Sequence, residues 1–306
     1  MQNSGSFVFR FQWILFIKKT PLDSFSIQPT RKYFMHILKM YLIWSLIYFP
    51  ISLVEIINCP KGVVHGILLY IRNFMVNGSY IQLWYLNALL VAIAIISALL
   101  YIKWPPKRIL YTALVFYLFG LLGDGYFGII EPLTEVPVVG QLLNLYFLMF
   151  GETRNGLFFA FFFVSMGMVL SDREISFSPK RSLTLFVISL FMLCVEAWGL
   201  RVFDIAKGYS LFVFTVPAAL FSFLFLRTVY LNDSRVYKSL RELSTLIFYL
   251  HMLVNFGAKN LMSLFPDNMK STPLQFVITL SVTIAISLGI MKLSGYKRFT
   301  WLKKSY

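Results

Sequence analysis

What this sequence has least of is charge. Asp, Glu, Lys and Arg together make up 13% of its 306 residues, against ~25% in an ordinary globular domain. A soluble chain of this size could not cover its surface with so few charges. A conventional water-soluble enzyme, a coiled coil and a disordered chain are therefore excluded. Cysteine is nearly missing too, with Cys59 and Cys194 the whole supply. Two cysteines cannot make a disulfide scaffold or a zinc site, and with only 3 His no metal cluster is expected. Cys59 reads as lying outside the membrane and Cys194 within a helix, so no disulfide between them is expected. A nucleophile elbow, a P-loop, a dinucleotide fingerprint and a paired-helix metal motif are all absent. The start, Met1 to Ser6, has no basic stretch ahead of an apolar one, so no cleavable signal peptide is expected.

What fills the chain instead is apolar. Hydrophobic residues are 58% of it, and Phe alone occurs 32 times. A membrane-crossing helix needs ~20 mostly apolar residues. The clearest run is Tyr80–Ile102, which carries no charge. Others are Phe34–Ile57, Ile109–Ile130, Asn155–Ser171, Ser182–Leu200, Gly208–Leu226, Leu243–Ser263 and Ser271–Met291. Ser6–Ile17 is short, contains Arg10 and reads as a weak or incomplete span. The fold class is thus all-α, a polytopic membrane helix bundle of about 9 spanning segments in a single domain.

The net charge of +15 would suggest nucleic acid in a soluble protein. Here the cations sit in short clusters between apolar runs, which is how a polytopic protein marks its cytoplasmic face, so no nucleic acid is expected. One face gathers Lys18-Lys19, Arg31-Lys32, Lys103, Lys107-Arg108, Arg173, Lys180-Arg181, the cations from Arg227 to Arg241, Lys297-Arg298 and Lys303-Lys304. The other holds Lys61, Arg72, Arg154, Arg201, Lys207 and Lys270. Val136–Gly151 is apolar and contains Pro137 and Gly140. If it spanned, every later cluster would change sides and the asymmetry would collapse. It therefore reads as a re-entrant or interfacial helix on the outer face. The same reasoning places the N-terminus outside and the C-terminus in the cytoplasm.

Ionisable groups at membrane depth are costly and invite functional readings. Glu55, Asp124 and Lys259 lie near helix ends, where they can snorkel, and Glu196 lies near the outer end of its helix. His251 is deeper, and is either a neutral histidine bonded within the bundle or a group that binds substrate or moves a proton. His36, beside Arg31, Lys32 and Lys39, suits anionic headgroups or a phosphate-bearing donor. His65 reads as a solvated loop residue. Asn155 can cap the aromatic helix that follows it, and Gly156 allows another backbone to approach closely. Trp84 and Tyr85 suit an outer aromatic belt. Pro217 falls near the middle of an apolar run, as a helix break.

Several segments together resemble the acyltransferase 3 family of bacterial membrane proteins. Leu83-Trp-Tyr-Leu86 opens a long spanning helix as the family's Leu-Trp-[Phe/Tyr]-Leu segment does. Thr153-Arg-Asn-Gly-Leu-Phe158, followed by aromatics and Gly167, is similar to its most specific signature. Leu243-Ser-Thr-Leu-Ile-Phe-Tyr-Leu-His251 is similar to its late Leu-Ser-x-x-Ile-Tyr-x-x-His segment, and Lys39–Tyr48 fits its third helix.

The resemblance implies a ten-helix bundle that transfers an acyl group, usually acetyl, from acyl-CoA as co-substrate to a hydroxyl of a cell-surface glycan or lipid-linked sugar. It implies no bound cofactor, and a place in the bacterial plasma membrane among membrane lipids. Arg154 is the catalytic candidate it singles out. Trp84, Asn155, His251 and His36 are substrate-binding candidates. It also implies that the chain corresponds to helices two to ten, lacking the family's first helix and the histidine there. On that ground the chain alone is expected not to catalyse. A different class of function is a membrane domain that binds or transports a small polar solute such as an amino acid. A partner-binding membrane protein without chemistry is a third.

Overall fold

The computed structural model describes residues 27–171, 177–229, 234–262, 272–296 and 299. Ser6–Ile17, Arg10, Lys18-Lys19 and Ser263 to Ser271 lie outside the described residues, as do Arg173 and the basic C-terminal end. Among the described residues the secondary structure is all helical. The helices are α1 (Ile27–Ile57), α2 (Val63–Val76), α3 (Trp84–Tyr101), α4 (Pro106–Gly123), α5 (Phe127–Ile130), α6 (Pro137–Phe150), α7 (Phe161–Ser171), α8 (Pro179–Val202), α9 (Thr215–Leu226), α10 (Arg235–Met262) and α11 (Thr272–Leu293). A π-helical turn, Gly156–Ala160, leads into α7.

Four helices, α1, α3, α8 and α11, are long and apolar enough to cross a membrane, and α4 joins them if it and the segment after it, bent by 82°, are one broken span. The chain is a multi-pass helical membrane protein. α1, α3, α4 and α7 interlock around Tyr48, Ile93, Ile96, Ile109, Tyr117 and Phe161, all nearly or fully inaccessible. Two helical hairpins, α8–α9 and α10–α11, flank this core.

Polar side chains attach the hairpins. The Tyr48 hydroxyl, on α1, donates to Tyr249 O at 2.6 Å and accepts from Leu253 N at 3.1 Å. Those are the carbonyl and N–H that pair in one regular helical turn, so α1 inserts a hydroxyl into the α10 ladder. Trp44 stacks on Tyr249 with centroids 4.7 Å apart. At the other flank, Asp124 does not snorkel. It is 7% exposed and accepts from Ser210 N and Leu211 N at 3.0 and 2.9 Å. Glu196 accepts from Tyr126 Oη, Val213 N and Phe214 N. These two carboxylates satisfy the free N–H groups that precede α9. Lys207, on the same loop, rests its ammonium 3.3 Å from the Phe147 ring centre, and burial lowers its pKa below the ordinary lysine value.

Three further readings change. Pro217 is not mid-helix; it is the third residue of α9, in the first turn, where a missing N–H breaks no bond. The run Gly208–Leu226 becomes a helix only from Thr215, because Asp124 and Glu196 bind the preceding backbone. The stretch around His65, read as loop, contains α2. α6 falls where an interfacial or re-entrant helix was expected. α2 and α6 have 14 residues each, ~21 Å, too short for a ~30 Å hydrocarbon layer. Glu55 and Lys259 are exposed, His65 is half-buried and both cysteines are free.

Candidate functional site

The segment from Gly151 to Gly156 is folded from beneath. Thr153 Oγ1 donates to Gly120 O at 3.0 Å. Asn155 is 1% exposed; its Oδ1 accepts from Leu157 N and Phe158 N, and its Nδ2 donates to Glu152 O at 2.9 Å. This is the expected cap. A Cβ at Gly156 would lie 2.3 Å from Val91 Cβ and 2.9 Å from Ala88 O, so the π-turn sits directly against α3. With its neighbours turned inward, Arg154 is turned outward. Its guanidinium lies 4.8 Å from the Trp84 ring centre and 3.3 Å from Glu152 Oε2, and its Nε is buried with no partner among the described residues.

Thus three candidates converge at the start of α3 and of the π-turn, in different parts. Trp84 and Arg154 form a half-exposed platform of ring, cation and carboxylate. Asn155 lies under it, with both ends of its amide committed to the backbone, and holds Arg154 in place. Flat ring faces and charged planar donors suit a polyhydroxylated ligand.

His251 lies on a second feature. Its Nδ1 is 3.1 Å from Ile247 O and 2.8 Å from Phe248 O on its own helix. Two backbone carbonyls at one ring nitrogen favour the proton on Nδ1, and the neutral form of that tautomer carries its lone pair on Nε2. His251 lines a cleft of about 690 Å³ between α10 and α11, with Ser244, Met252, Asn255, Gln275 and Thr279 among its walls. Gln275 Nε2 donates to Asn255 Oδ1 at 2.8 Å. Ring contacts connect the two features: Trp84 with Tyr85, Tyr85 with Phe248, and Phe248 with His251, with centroids 6.2–6.4 Å apart. His36 is not brought to either feature. It is exposed on α1, two turns before Trp44, among exposed Arg31, Lys32 and Lys39.

Sequence reasoning missed Asn255, Gln275 and Thr279. The signal was the spacing. His251 and Asn255 are four apart on α10, and Thr272, Gln275, Thr279 and Thr283 follow at steps of three and four on α11, so each set shares one helical face. Tyr48 was equally hidden, because one aromatic among 58% apolar residues carries no mark of its bond to α10.

Comparison with known proteins adds relatives and a family. The chain is 29% identical over 272 residues to a serine/alanine racemase of Enterococcus gallinarum, covering 87% of this chain and 36% of that protein. It is 28% identical over 228 residues to an amino-acid racemase of Enterococcus faecalis, covering 74% of this chain and 31% of that protein. A second amino-acid racemase of E. faecalis is 32% identical over 149 residues, 48% of this chain and 20% of its own length. The chain therefore spans about a third or less of these relatives. No solved structure matches. The profile of the acyltransferase 3 family, described as an acyltransferase domain, matches residues 9–292, so the chain belongs to the acyltransferase 3 family of membrane proteins.

Proposed function

We propose that the chain is a membrane O-acyltransferase, moving an acyl group, acetyl in the simplest case, from acyl-CoA to a hydroxyl of a cell-surface glycan or lipid-linked sugar. The observation that supports this most is His251, a base within the chain itself, and with it this reading sets aside the expectation that the chain alone does not catalyse. An imidazole whose Nδ1 proton is held by two backbone carbonyls offers a lone pair at Nε2, which is what general-base activation of a hydroxyl requires. Nε2 takes the hydroxyl proton as the oxygen attacks the thioester carbonyl. The C–S bond then breaks, and the departing sulfur takes the proton back. Base assistance contributes ~10²–10⁴-fold. Trp84 and Arg154, at the far end of the aromatic wall, are the acceptor platform in this reading. The setting is a bacterial plasma membrane with the C-terminus in the cytoplasm.

A second reading, binding or transport of an amino acid, draws on the names of the racemases above. Membrane vesicles carrying the chain test both. With radiolabelled acetyl-CoA, label is expected on extracted glycan, and His251→Ala and Arg154→Ala are each expected to lower it at least 100-fold at unchanged membrane expression. No label with the parent chain, together with saturable uptake of radiolabelled serine, would favour the second reading.

A further inference from the structure

We propose that the α10–α11 cleft receives the pantetheine arm of the acyl-CoA, with the CoA phosphates at Lys238 and Arg241 and the thioester at His251 Nε2. The inference rests on the acyltransferase reading and adds to it where and how the donor binds.

The cleft's chemistry is selective. None of its lining residues is charged: its polar groups are hydroxyls of Ser244, Thr272, Thr279 and Thr283, the carboxamides of Asn255 and Gln275, and one imidazole. A zwitterion would enter such a site with no oppositely charged side chain for its carboxylate or its ammonium, which is costly within a membrane. A neutral amphiphilic chain would not. The carboxamide pair narrows the class further. Gln275 Nε2 and Asn255 Oδ1 satisfy each other. Gln275 Oε1 and Asn255 Nδ2 have no partner among the described residues, so the pair offers one acceptor and one donor. Those are the two groups that an amide needs, and a pantetheine arm contains two amides in an otherwise neutral chain.

Length gives an independent argument. From phosphate oxygen to sulfur, the arm is equivalent to about four residues of extended chain, ~14 Å. Arg241 and His251 are ten positions apart on α10, ~15 Å by helical rise. Ser244, one turn past Arg241, is in the cleft wall. Lys238 and Arg241 are exposed on the same end of α10 and can reach phosphates that remain in water. The charge asymmetry of the sequence puts that end on the cytoplasmic side, where acyl-CoA is found.

The test uses the purified chain in lipid nanodiscs, with CoA and with free pantetheine as probes. Gln275→Leu and Asn255→Leu are each expected to weaken both probes about three- to tenfold. Lys238→Ala with Arg241→Ala is expected to weaken CoA and leave pantetheine unchanged. In a chain with Cys59→Ser and Cys194→Ser, Thr279→Cys is expected to exchange with pantethine, giving a mixed disulfide and releasing one pantetheine, and CoA is expected to protect it. Parent protein that transfers acetyl from acetyl-CoA while Gln275→Leu binds CoA normally and the introduced thiol is unprotected would overturn the cleft assignment alone. Parent protein that binds no CoA and transfers nothing would overturn the acyltransferase reading and this one with it.

Discussion

Arg154 and Asn155 are adjacent, and the structure gives them opposite kinds of work. Asn155 is sealed in and uses its side chain three times, twice as acceptor and once as donor. Removing it leaves Leu157 N, Phe158 N and Glu152 O without their partner, and loss of an N-cap costs about 0.5–2 kcal/mol. Arg154 is half-exposed, and its 3.3 Å pair with Glu152 contributes little in such a setting. Asn155→Ala is therefore expected to lower the detergent-solubilised Tm by several degrees, and Asn155→Asp, which keeps the acceptor, by less. Arg154→Ala is expected to leave Tm within a degree or two. A thermal-shift measurement ranking the two the other way would reverse the parts assigned to them. The sequence made the cap legible, because an Asn ahead of an aromatic helix with Gly behind it has few other uses. It did not show that the same Asn is out of a ligand's reach, since its burial belongs to the folded chain, where the next residue, Gly156, is held against Val91 and Ala88, sixty-odd positions away.

At the scale of elements, the loop between α8 and α9 shows what an apolar run conceals. Periodicity makes Gly208–Leu226 a helix. The structure keeps the first seven residues extended or turned because Asp124 and Glu196, from other elements, bind their N–H groups. Carboxylates near helix ends look like snorkelling groups in a sequence; their partners are visible only once the chain is folded. Legibility was better for α3 and α8, whose apolar runs have no such outside claim on their backbones. Gly208 packs against the Asp124 carboxylate so closely that a Cβ would collide with Oδ1. Gly208→Ala is thus expected to destabilise by about 1–3 kcal/mol. Asp124→Asn keeps an acceptor for Ser210 N and Leu211 N and is expected to be mild, whereas Asp124→Leu leaves both N–H groups buried and unpaired, at about 1–3 kcal/mol each. Melting curves that place Asp124→Asn with Asp124→Leu would mean that the charge, not the hydrogen bonds, holds the loop.

For the whole molecule, orientation decides whether the two features can meet their ligands. Segments 103–108 and 227–242 hold basic clusters, and segments 58–79 and 131–154 hold the short helices α2 and α6. Arg72 Nη1 donates to Leu148 O at 3.4 Å and Asn77 Nδ2 to Phe150 O at 2.9 Å, joining those two helices beside the Arg154 segment. Each also exposes an apolar stripe, Val64, Ile67, Leu68, Ile71 and Met75 on α2 and Val138, Leu142, Leu145 and Met149 on α6. A 14-residue helix with such a stripe suits the boundary between headgroups and acyl chains. The platform of Trp84 and Arg154 would then open at the outer surface, and Lys238 and Arg241 at the cytoplasmic one. Single cysteines introduced by Lys61→Cys and Ser234→Cys, with Cys59→Ser and Cys194→Ser, separate the faces in intact cells. An impermeant maleimide added outside is expected to label the first and not the second until the membrane is opened. Labelling of the second alone would turn the molecule over and leave the α10–α11 cleft facing away from its donor.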